Sequence, residues 1–142
     1  LMSELDYKAD LDPKECWNLL KSQSNSFLID CRTKAEWQFV GVPDLSSIEK
    51  KVSLIEWQAF PAMNLNQNFL EEVVNSGIKS NDSILIICRS GGRSKSAAEY
   101  LTSNGFEHCF NCKYGFEGSH DSNDHRGNLN GWKFSKLPWK QI

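Results

Sequence analysis

The chain has 142 residues, of which 39% are hydrophobic and 24% charged, and its net charge is −2. This length lets one domain bury a sizeable core without disulfides or a structural metal, and the near-neutral charge indicates neither a nucleic acid nor a membrane partner. No apolar run is long enough to span a bilayer, and the acidic, polar N-terminus lacks a secretory signal pattern. We therefore expect a cytoplasmic protein with a single domain over residues 5–139 and an N-terminal remnant or tail over residues 1–4.

Short apolar segments alternate with amphipathic ones along the chain. A first helix is predicted to start at Asp12, because Asp12 can cap it, Pro13 suits its first position and Glu15 completes a capping box. After it we predict strands at 27–31, 52–55, 83–87 and 106–112, and helices at 33–39, 66–76 and 94–103. This order predicts an α/β domain with a parallel sheet and helices on both faces.

Chemically active residues follow two of the predicted strands. Asp30, Cys31 and Arg32 lie at the end of one strand, and Cys88 follows the apolar, central strand at 83–87. In open parallel sheets, ligands bind beyond the carboxyl ends of the strands. The sequence therefore predicts a functional site at this edge, with Cys88 as its main candidate.

The segment after the central strand has the composition of an anion-binding loop. It reads Cys88, Arg89, Ser90, Gly91, Gly92, Arg93 and Ser94. Glycine allows the backbone to curl so that its N–H groups point inward, and the next helix adds partial positive charge. With the arginines, this environment favours the thiolate, the nucleophilic form of cysteine. The alternative is a buried structural cysteine before an ordinary turn, which two glycines between two arginines make the weaker interpretation.

The loop resembles the active loop of the rhodanese family, which starts with a nucleophilic cysteine, often followed by arginine, and has glycine, arginine and serine further on. The likeness extends to residues 30–32 and 35–37, to the helix after the loop and to 111–118, so it covers about residues 5–139. It implies a three-layer rhodanese-like domain with a five-stranded parallel sheet and helices on both faces. One departure is that residues 41–45 lack the histidine the family commonly has there, so no histidine is given a role.

The resemblance also implies a mechanism centred on Cys88. The thiolate would take a sulfane sulfur from an anionic donor such as thiosulfate and become a persulfide. A thiophilic acceptor, which is cyanide, a thiol or a protein, would then remove the outer sulfur. No cofactor and no metal is expected.

Roles for the other site residues follow from the same resemblance. The backbone of the whole loop would cradle the transferred sulfur, while Arg89 and Arg93 would attract the donor. Arg32 is expected to face the same pocket and to bind substrate. Asp30 is expected to support the framework of the site. The predicted substrate-binding residues are therefore Arg89, Ser90, Gly91, Gly92, Arg93, Ser94 and Arg32.

Two other functions remain open at this point. Phosphatases and arsenate reductases of the same fold use a loop with arginine six positions after the cysteine, where it clamps the oxyanion. Here Arg93 stands at position five and Ser94 at six, so the loop suits one sulfur better than a phosphate. The chain could also be a catalytically silent binding module, against which the intact cysteine and loop argue.

The remaining cysteines are interpreted as reduced thiols in the core. Cys109 and Cys112, beside His108, could hold zinc or form a redox pair, but alternation along a strand would point them to opposite faces. Cys31 could resolve a persulfide, although packing is the favoured role, and Cys16 is expected to be inert.

Two further segments could border the cleft. Trp57, Phe60 and Met63 are more readily explained as core residues than as a cleft wall. The polar segment at 120–126 is interpreted as a solvated turn, with gating of the site as the alternative. The tail with Trp132 and Trp139 is predicted to fold back onto the body.

Overall fold

A computed structural model describes residues 6–142. Leu5 and the predicted tail at 1–4 lie outside the described residues, so the proposed domain limits stay a prediction. The helices are α1 (Pro13–Ser22), α2 (Lys34–Val40), α3 (Phe69–Asn75) and α4 (Gly92–Ser103). The strands are β1 (Ala9–Leu11), β2 (Ser26–Asp30), β3 (Val42–Pro43), β4 (Ser53–Leu54), β5 (Gln58–Ala59), β6 (Asn64–Leu65), β7 (Ser83–Ile87), β8 (His108–Cys112) and β9 (Trp139–Lys140). A single 3₁₀ turn spans Ser46–Ile48.

The main sheet has five parallel strands in the order β1–β8–β7–β2–β4. The predicted five-stranded parallel sheet is therefore confirmed, and β7 is its central strand. The sequence analysis does not predict β1, a three-residue edge strand. Because Asp30 pairs with Ile87, the residues that follow them, Cys31 and Cys88, leave the sheet side by side.

Two apolar clusters cover the two faces of the sheet. Ile84, Ile86 and Cys88 belong to one cluster together with residues of α3 and α4. Leu85 and Ile87 belong to the other, which includes residues of α1. Successive residues of β7 thus point to opposite faces, and every residue of this strand is buried. This burial on both faces explains the continuous apolar run at the centre of a parallel sheet.

Capping boxes start α1 and α2, the two helices in the N-terminal half of the chain. At α1, Asp12 accepts from the Glu15 amide at 2.9 Å and its own amide donates to the Glu15 carboxylate at 3.0 Å, as predicted. Thr33 and Glu36 form the same arrangement at α2. The second box fixes the position of Glu36, which matters for the site described below.

The C-terminal tail lies against the body of the domain, as predicted. Trp132 is wholly buried and its indole N–H donates to the Pro138 carbonyl at 2.7 Å. Trp139 pairs with Pro43, joining β9 to β3 in a small antiparallel sheet. Within residues 6–142, no helix has both the length and the apolar character needed to cross a membrane.

Candidate active site

Cys88 follows β7 directly and lies beneath the start of α4. Its side chain is 1% exposed. The Gly91 amide donates to its sulfur at 3.1 Å, and the Ser94 hydroxyl oxygen lies 3.2 Å from the same sulfur. The thiol is therefore held at a helix N-terminus, where partial positive charge favours an anionic sulfur.

The helix after the loop starts two residues earlier than the sequence predicted. Gly91 takes a left-handed conformation (φ 112°) as the N-cap, which brings Gly92 and Arg93 into α4. The first N–H groups of a helix have no intrahelical acceptor, and no side chain caps this one. Within residues 6–142 we find no acceptor for the amides of Gly92, Arg93 or Ser94, so these donors are available to an anion beside Cys88.

A tight turn after β8 donates two hydrogen bonds to the start of the cysteine loop. The Phe116 amide donates to the Cys88 carbonyl at 2.7 Å, and the Glu117 amide donates to the Arg89 carbonyl at 3.0 Å. Gly115, with φ at 64°, passes so close that a Cβ atom there would lie 2.6 Å from the Arg89 carbonyl oxygen. Only glycine can be accommodated at this distance, and the contact holds the backbone of Cys88 and Arg89 in place.

A chain of hydrogen bonds, buried at Ser94 and part-buried at Asp10, leads from Cys88 to the edge of the sheet. The Ser94 hydroxyl donates to the Asn111 amide oxygen, and the Asn111 side-chain nitrogen donates to Asp10 at 3.0 Å. The Tyr7 hydroxyl donates to the same Asp10 oxygen at 2.6 Å. Burial and the hydrogen bond to Asp10 raise the pKa of the Tyr7 hydroxyl, so it remains a donor. Sequence analysis missed Tyr7, Asp10 and Asn111, which come together only through the pairing of β1 with β8.

The direction of this chain predicts an effect on the Cys88 thiol. Asp10 orients the Asn111 amide, so its oxygen takes the single Ser94 proton. The Ser94 oxygen, 3.2 Å from the sulfur, then faces it with a lone pair rather than a proton. In Asn111→Leu the Ser94 hydroxyl can donate to the sulfur, and we expect alkylation by iodoacetamide at pH 7 to become about three- to tenfold faster.

Comparison with Ser94→Ala separates this effect from a loosened structure. Ser94→Ala, which has no hydroxyl to donate, should not show the gain. An unchanged or slower reaction of Asn111→Leu at pH 7, in a variant with native circular dichroism, would contradict the assignment.

Arg93 forms a bidentate ion pair with Glu36 on α2. Its two terminal nitrogens lie 2.6 and 2.9 Å from the two carboxylate oxygens, and both side chains are about one-fifth exposed. The hydrogen bonds that Arg93 donates to Glu36 raise the Arg93 pKa despite burial. Arg93 thus borders the cavity, but its charge is already compensated by Glu36, and its role in substrate binding stays a prediction.

This ion pair makes stability depend on pH. Burial opposes ionisation of Glu36, but the hydrogen bonds and charge of Arg93 outweigh it and lower the pKa from 4.5 to about 2. A carboxylate with a lowered folded-state pKa stabilises the fold above its unfolded pKa, and that stability is lost as the pH falls. We expect the pair to contribute at most about 3 kcal/mol at pH 7, disappearing between about pH 4.5 and 2.

Urea unfolding of the wild type and of Glu36→Gln across this pH range tests the expectation. Glutamine keeps the capping box with Thr33 but cannot pair ionically with Arg93. The difference in unfolding free energy between the two proteins should be largest near pH 7 and vanish towards pH 2. A difference that is independent of pH would show that the ion pair is not its source.

A cavity of about 480 Å³ opens beside the loop. Arg89 and Arg93 border it from the loop, and Phe60 and Met63 form its apolar wall. Trp57, by contrast, packs on Phe69 and Tyr100 in the core. The residues that line the cavity are Thr33, Glu36, Val40, Phe60, Met63, Arg89, Arg93, Glu117 and Arg126.

Arg126 is a cationic residue in the segment that the sequence analysis interprets as a solvated turn. The structure places it in the cavity wall, where its guanidinium donates to the Gly118 carbonyl at 2.6 Å. Its signal in the sequence is weak, because only the fold of the segment after Gly118 brings it back to the loop. The cavity thus contains Arg89, Arg93 and Arg126 as cations, opposed by Glu36 and Glu117.

Arg32 lies in the framework of the site rather than in the cavity wall. It is fully buried and makes two hydrogen bonds to Asp30, at 2.9 and 2.6 Å, and one to the Gly41 carbonyl at 2.7 Å. Its guanidinium also lies 4.3 Å from the centre of the Phe116 ring. Arg32 is not among the residues that line the cavity, so this geometry makes it a partner of Asp30 in the framework rather than a substrate ligand.

The other cysteines are all buried and free. Burial, followed by the nearby Cys88, raises the pKa of the Cys31 thiol well above its usual value, which disfavours attack on a persulfide. Within residues 6–142 no cluster of histidine, cysteine or carboxylate side chains could hold a metal ion, so Cys109 and Cys112 do not form a zinc site there. Cys16 and Cys112, however, lie next to each other, a contact taken up below.

Comparison with known proteins agrees with this fold. A model of the STR4 middle domain matches residues 11–142. The solved structure of Rv0390 from M. tuberculosis is 39% identical, with a TM-score of 0.87 and coverage of 96% of this chain and 99% of that one. RC0915 of Rickettsia conorii, an uncharacterised protein, is 38% identical over 126 residues, covering 89% of this chain and 92% of that protein.

A more distant relative carries the rhodanese name. The chloroplastic protein Thylakoid rhodanese-like of Oryza sativa subsp. indica is 26% identical over 124 residues, which make up 87% of this chain and 23% of that longer protein. The cysteine loop and the five-stranded parallel sheet agree with these likenesses. The chain therefore belongs to the STR4 middle domain family, and its fold is that of the rhodanese-like proteins.

Proposed function

We propose that the chain is a sulfurtransferase that moves a sulfane sulfur from an anionic donor, such as thiosulfate, to a thiophilic acceptor through a Cys88 persulfide. The observation that carries the proposal is the position of the Cys88 sulfur. It lies 3.1 Å from the Gly91 amide, at a helix N-terminus whose first N–H groups are available to an anion. Such a site stabilises negative charge on one compact group.

The reaction proceeds in two displacements at sulfur. The Cys88 thiolate attacks the outer sulfur of thiosulfate, the S–S bond of the donor breaks, and sulfite leaves with the electron pair. The resulting persulfide carries its negative charge on the terminal sulfur, next to the loop amides. An acceptor nucleophile then attacks that sulfur, and the Cys88 thiolate is the leaving group. No electrons are exchanged with an external reductant.

The geometry of Arg93 argues against phosphate as the alternative substrate. A phosphatase of this type needs an arginine that clamps the phosphate oxygens in two places. Arg93 uses both terminal nitrogens on Glu36, and position six after the cysteine is Ser94, which contacts the Cys88 sulfur itself. Recruitment of an anionic donor is then left to Arg89 and Arg126 at the cavity.

Intact-mass measurement after incubation with thiosulfate tests the proposal. We expect a gain of about 32 Da, one sulfur atom, that a thiol reductant removes. The adduct should be absent in Cys88→Ser and present in Cys109→Ser, the matched control, because Cys109 is also buried but lies away from the loop. Released sulfite should match the sulfur taken up.

Three outcomes would overturn it. Uptake of sulfur by Cys88→Ser would place the nucleophile elsewhere. Hydrolysis of an aryl phosphate, with no sulfur uptake from thiosulfate or polysulfide, would indicate a phosphatase. Activity towards neither class of substrate, in a protein with native circular dichroism, would indicate a binding module.

A further inference from the structure

Cys16 and Cys112 bring their sulfur atoms within 2.7 Å of each other. Cys16 lies on α1 and Cys112 ends β8, 96 positions later in the chain. Both side chains are buried, at 0% and 1% exposure. Carbon atoms that are not bonded to each other settle at about 3.5–4.0 Å, and sulfur is larger than carbon. The two thiols are therefore closer than ordinary packing would place them.

The surroundings of the pair argue against other uses of two thiols. Within residues 6–142 no third metal ligand joins them, so they do not form a thiolate metal site. Their neighbours are apolar side chains, including Leu20, Phe116 and Trp132. Burial, followed by the hydrogen bond with Cys16, raises the pKa of the Cys112 thiol well above its usual value. The Cys112 thiol is thus kept protonated in the folded state, where it reacts slowly.

We propose that Cys16 and Cys112 are a second thiol site, an oxidisable dithiol that reacts with a low-molecular-weight disulfide to form a bond between α1 and β8. In the first step one protein thiolate attacks a sulfur of the small disulfide, whose S–S bond breaks and releases one small thiol. The second protein thiolate then attacks the resulting mixed disulfide and releases the other small thiol. The two cysteines lose two protons and two electrons, and the small disulfide is reduced to two thiols.

The position of the site determines when it reacts and what it does. Because both thiols are buried, exchange takes place before α1 packs onto the sheet or when α1 separates from it. The bond joins residues 96 positions apart, and a cross-link that closes a long loop gives the largest gain in stability. It also fixes the end of β8 next to Asn111, the residue that holds Ser94. This site does not depend on the function proposed for Cys88.

Oxidative refolding tests the site in a Cys88→Ser background, which removes the thiol of the cysteine loop from the chemistry. The full chain is refolded from urea in a mixture of oxidised and reduced glutathione. We expect a mass loss of about 2 Da without bound glutathione and a non-reduced digest that links the peptide of Cys16 to that of Cys112. The thermal midpoint should rise by roughly 5–15 °C, and a thiol reductant should reverse the rise.

Matched variants identify the pair. Cys112→Ser should abolish the mass loss, whereas Cys109→Ser, at another buried thiol of the same strand, should keep it. The proposal is overturned if the refolded protein shows no mass loss, if the digest links other cysteines, or if the linked protein melts at a lower temperature than the reduced one. The last result would mean that the native geometry does not accept the bond.

Discussion

Gly115→Ala is expected to lower the rate of the proposed sulfur transfer by about 100-fold, the effect of displacing a reacting group by about 1 Å. A Cβ atom at this position would lie 2.6 Å from the Arg89 carbonyl oxygen, and its nearest neighbours are backbone atoms of Cys88 and Arg89 that cannot rotate away. The turn after β8 or the loop must therefore move. Either movement weakens the bond from the Phe116 amide to the Cys88 carbonyl and shifts the nucleophile relative to the loop amides.

Gly77→Ala is the matched control for this prediction. Gly77 also has a positive φ, 93°, but a Cβ atom there meets nothing within 4 Å. Both variants suffer the strain of alanine in this region, about 1–2 kcal/mol, and only Gly115→Ala crowds the loop. Thiosulfate-dependent sulfur transfer and thermal melting of the two variants separate the effects. If both lose activity equally, backbone strain rather than the displaced loop is responsible.

The central strand and the cysteine loop were predictable because their signals are local. A continuous apolar run predicts a strand buried on both faces, and glycine with flanking arginines predicts an anion-binding turn. The start of α4 was misplaced by two residues because Gly91 caps it through its left-handed backbone. No capping side chain exists there to mark the start in the sequence.

Partners distant in the chain were not predictable in the same way. The position of Arg93 in the loop predicts a substrate ligand, but Glu36, 57 positions earlier, compensates its charge. Asn111 meets Asp10, 101 positions away, only because β1 and β8 are neighbours in the sheet. Local patterns specify which residues are near the site, whereas the sheet order decides what each side chain contacts.

The sequence analysis does not predict which neighbour the Arg32 side chain contacts. Asp30 and Arg32 are two positions apart at a strand end, a spacing that puts two side chains on the same side. That spacing was available in the sequence and favours a pair between them. The position of Arg32 at the end of a strand next to the cysteine loop predicts a substrate-binding role, whereas the side chain lies buried against Asp30.

The buried pair of Asp30 and Arg32 yields the largest expected effect on stability. Both side chains have 0% exposure, and the closest approach between their charged atoms is 2.6 Å. Asp30→Leu would leave the Arg32 guanidinium buried without a counterion. Removing one partner of a buried pair costs about 3–5 kcal/mol, which we expect as a loss of unfolding free energy in urea.

The double variant Asp30→Leu, Arg32→Met distinguishes a charge effect from a packing effect. Replacing a buried ion pair by apolar residues of similar volume is often neutral, and one nitrogen of Arg32, Nη1, has no hydrogen-bond partner within residues 6–142. The double variant should therefore recover at least half of the stability that Asp30→Leu loses. Losses that simply add would show that Asp30 and Arg32 act independently.

Glu36→Gln is the matched control, because it breaks the second arginine–carboxylate pair found within residues 6–142 at a partly exposed position. Its side chain and that of Arg93 are about one-fifth exposed, so water can solvate the arginine left behind. At pH 7 we expect its loss to stay below that of Asp30→Leu. Equal losses of stability in the two single variants would show that burial of the charge does not make the Asp30 pair costly to break. Desolvation of Arg32 would then be a small effect.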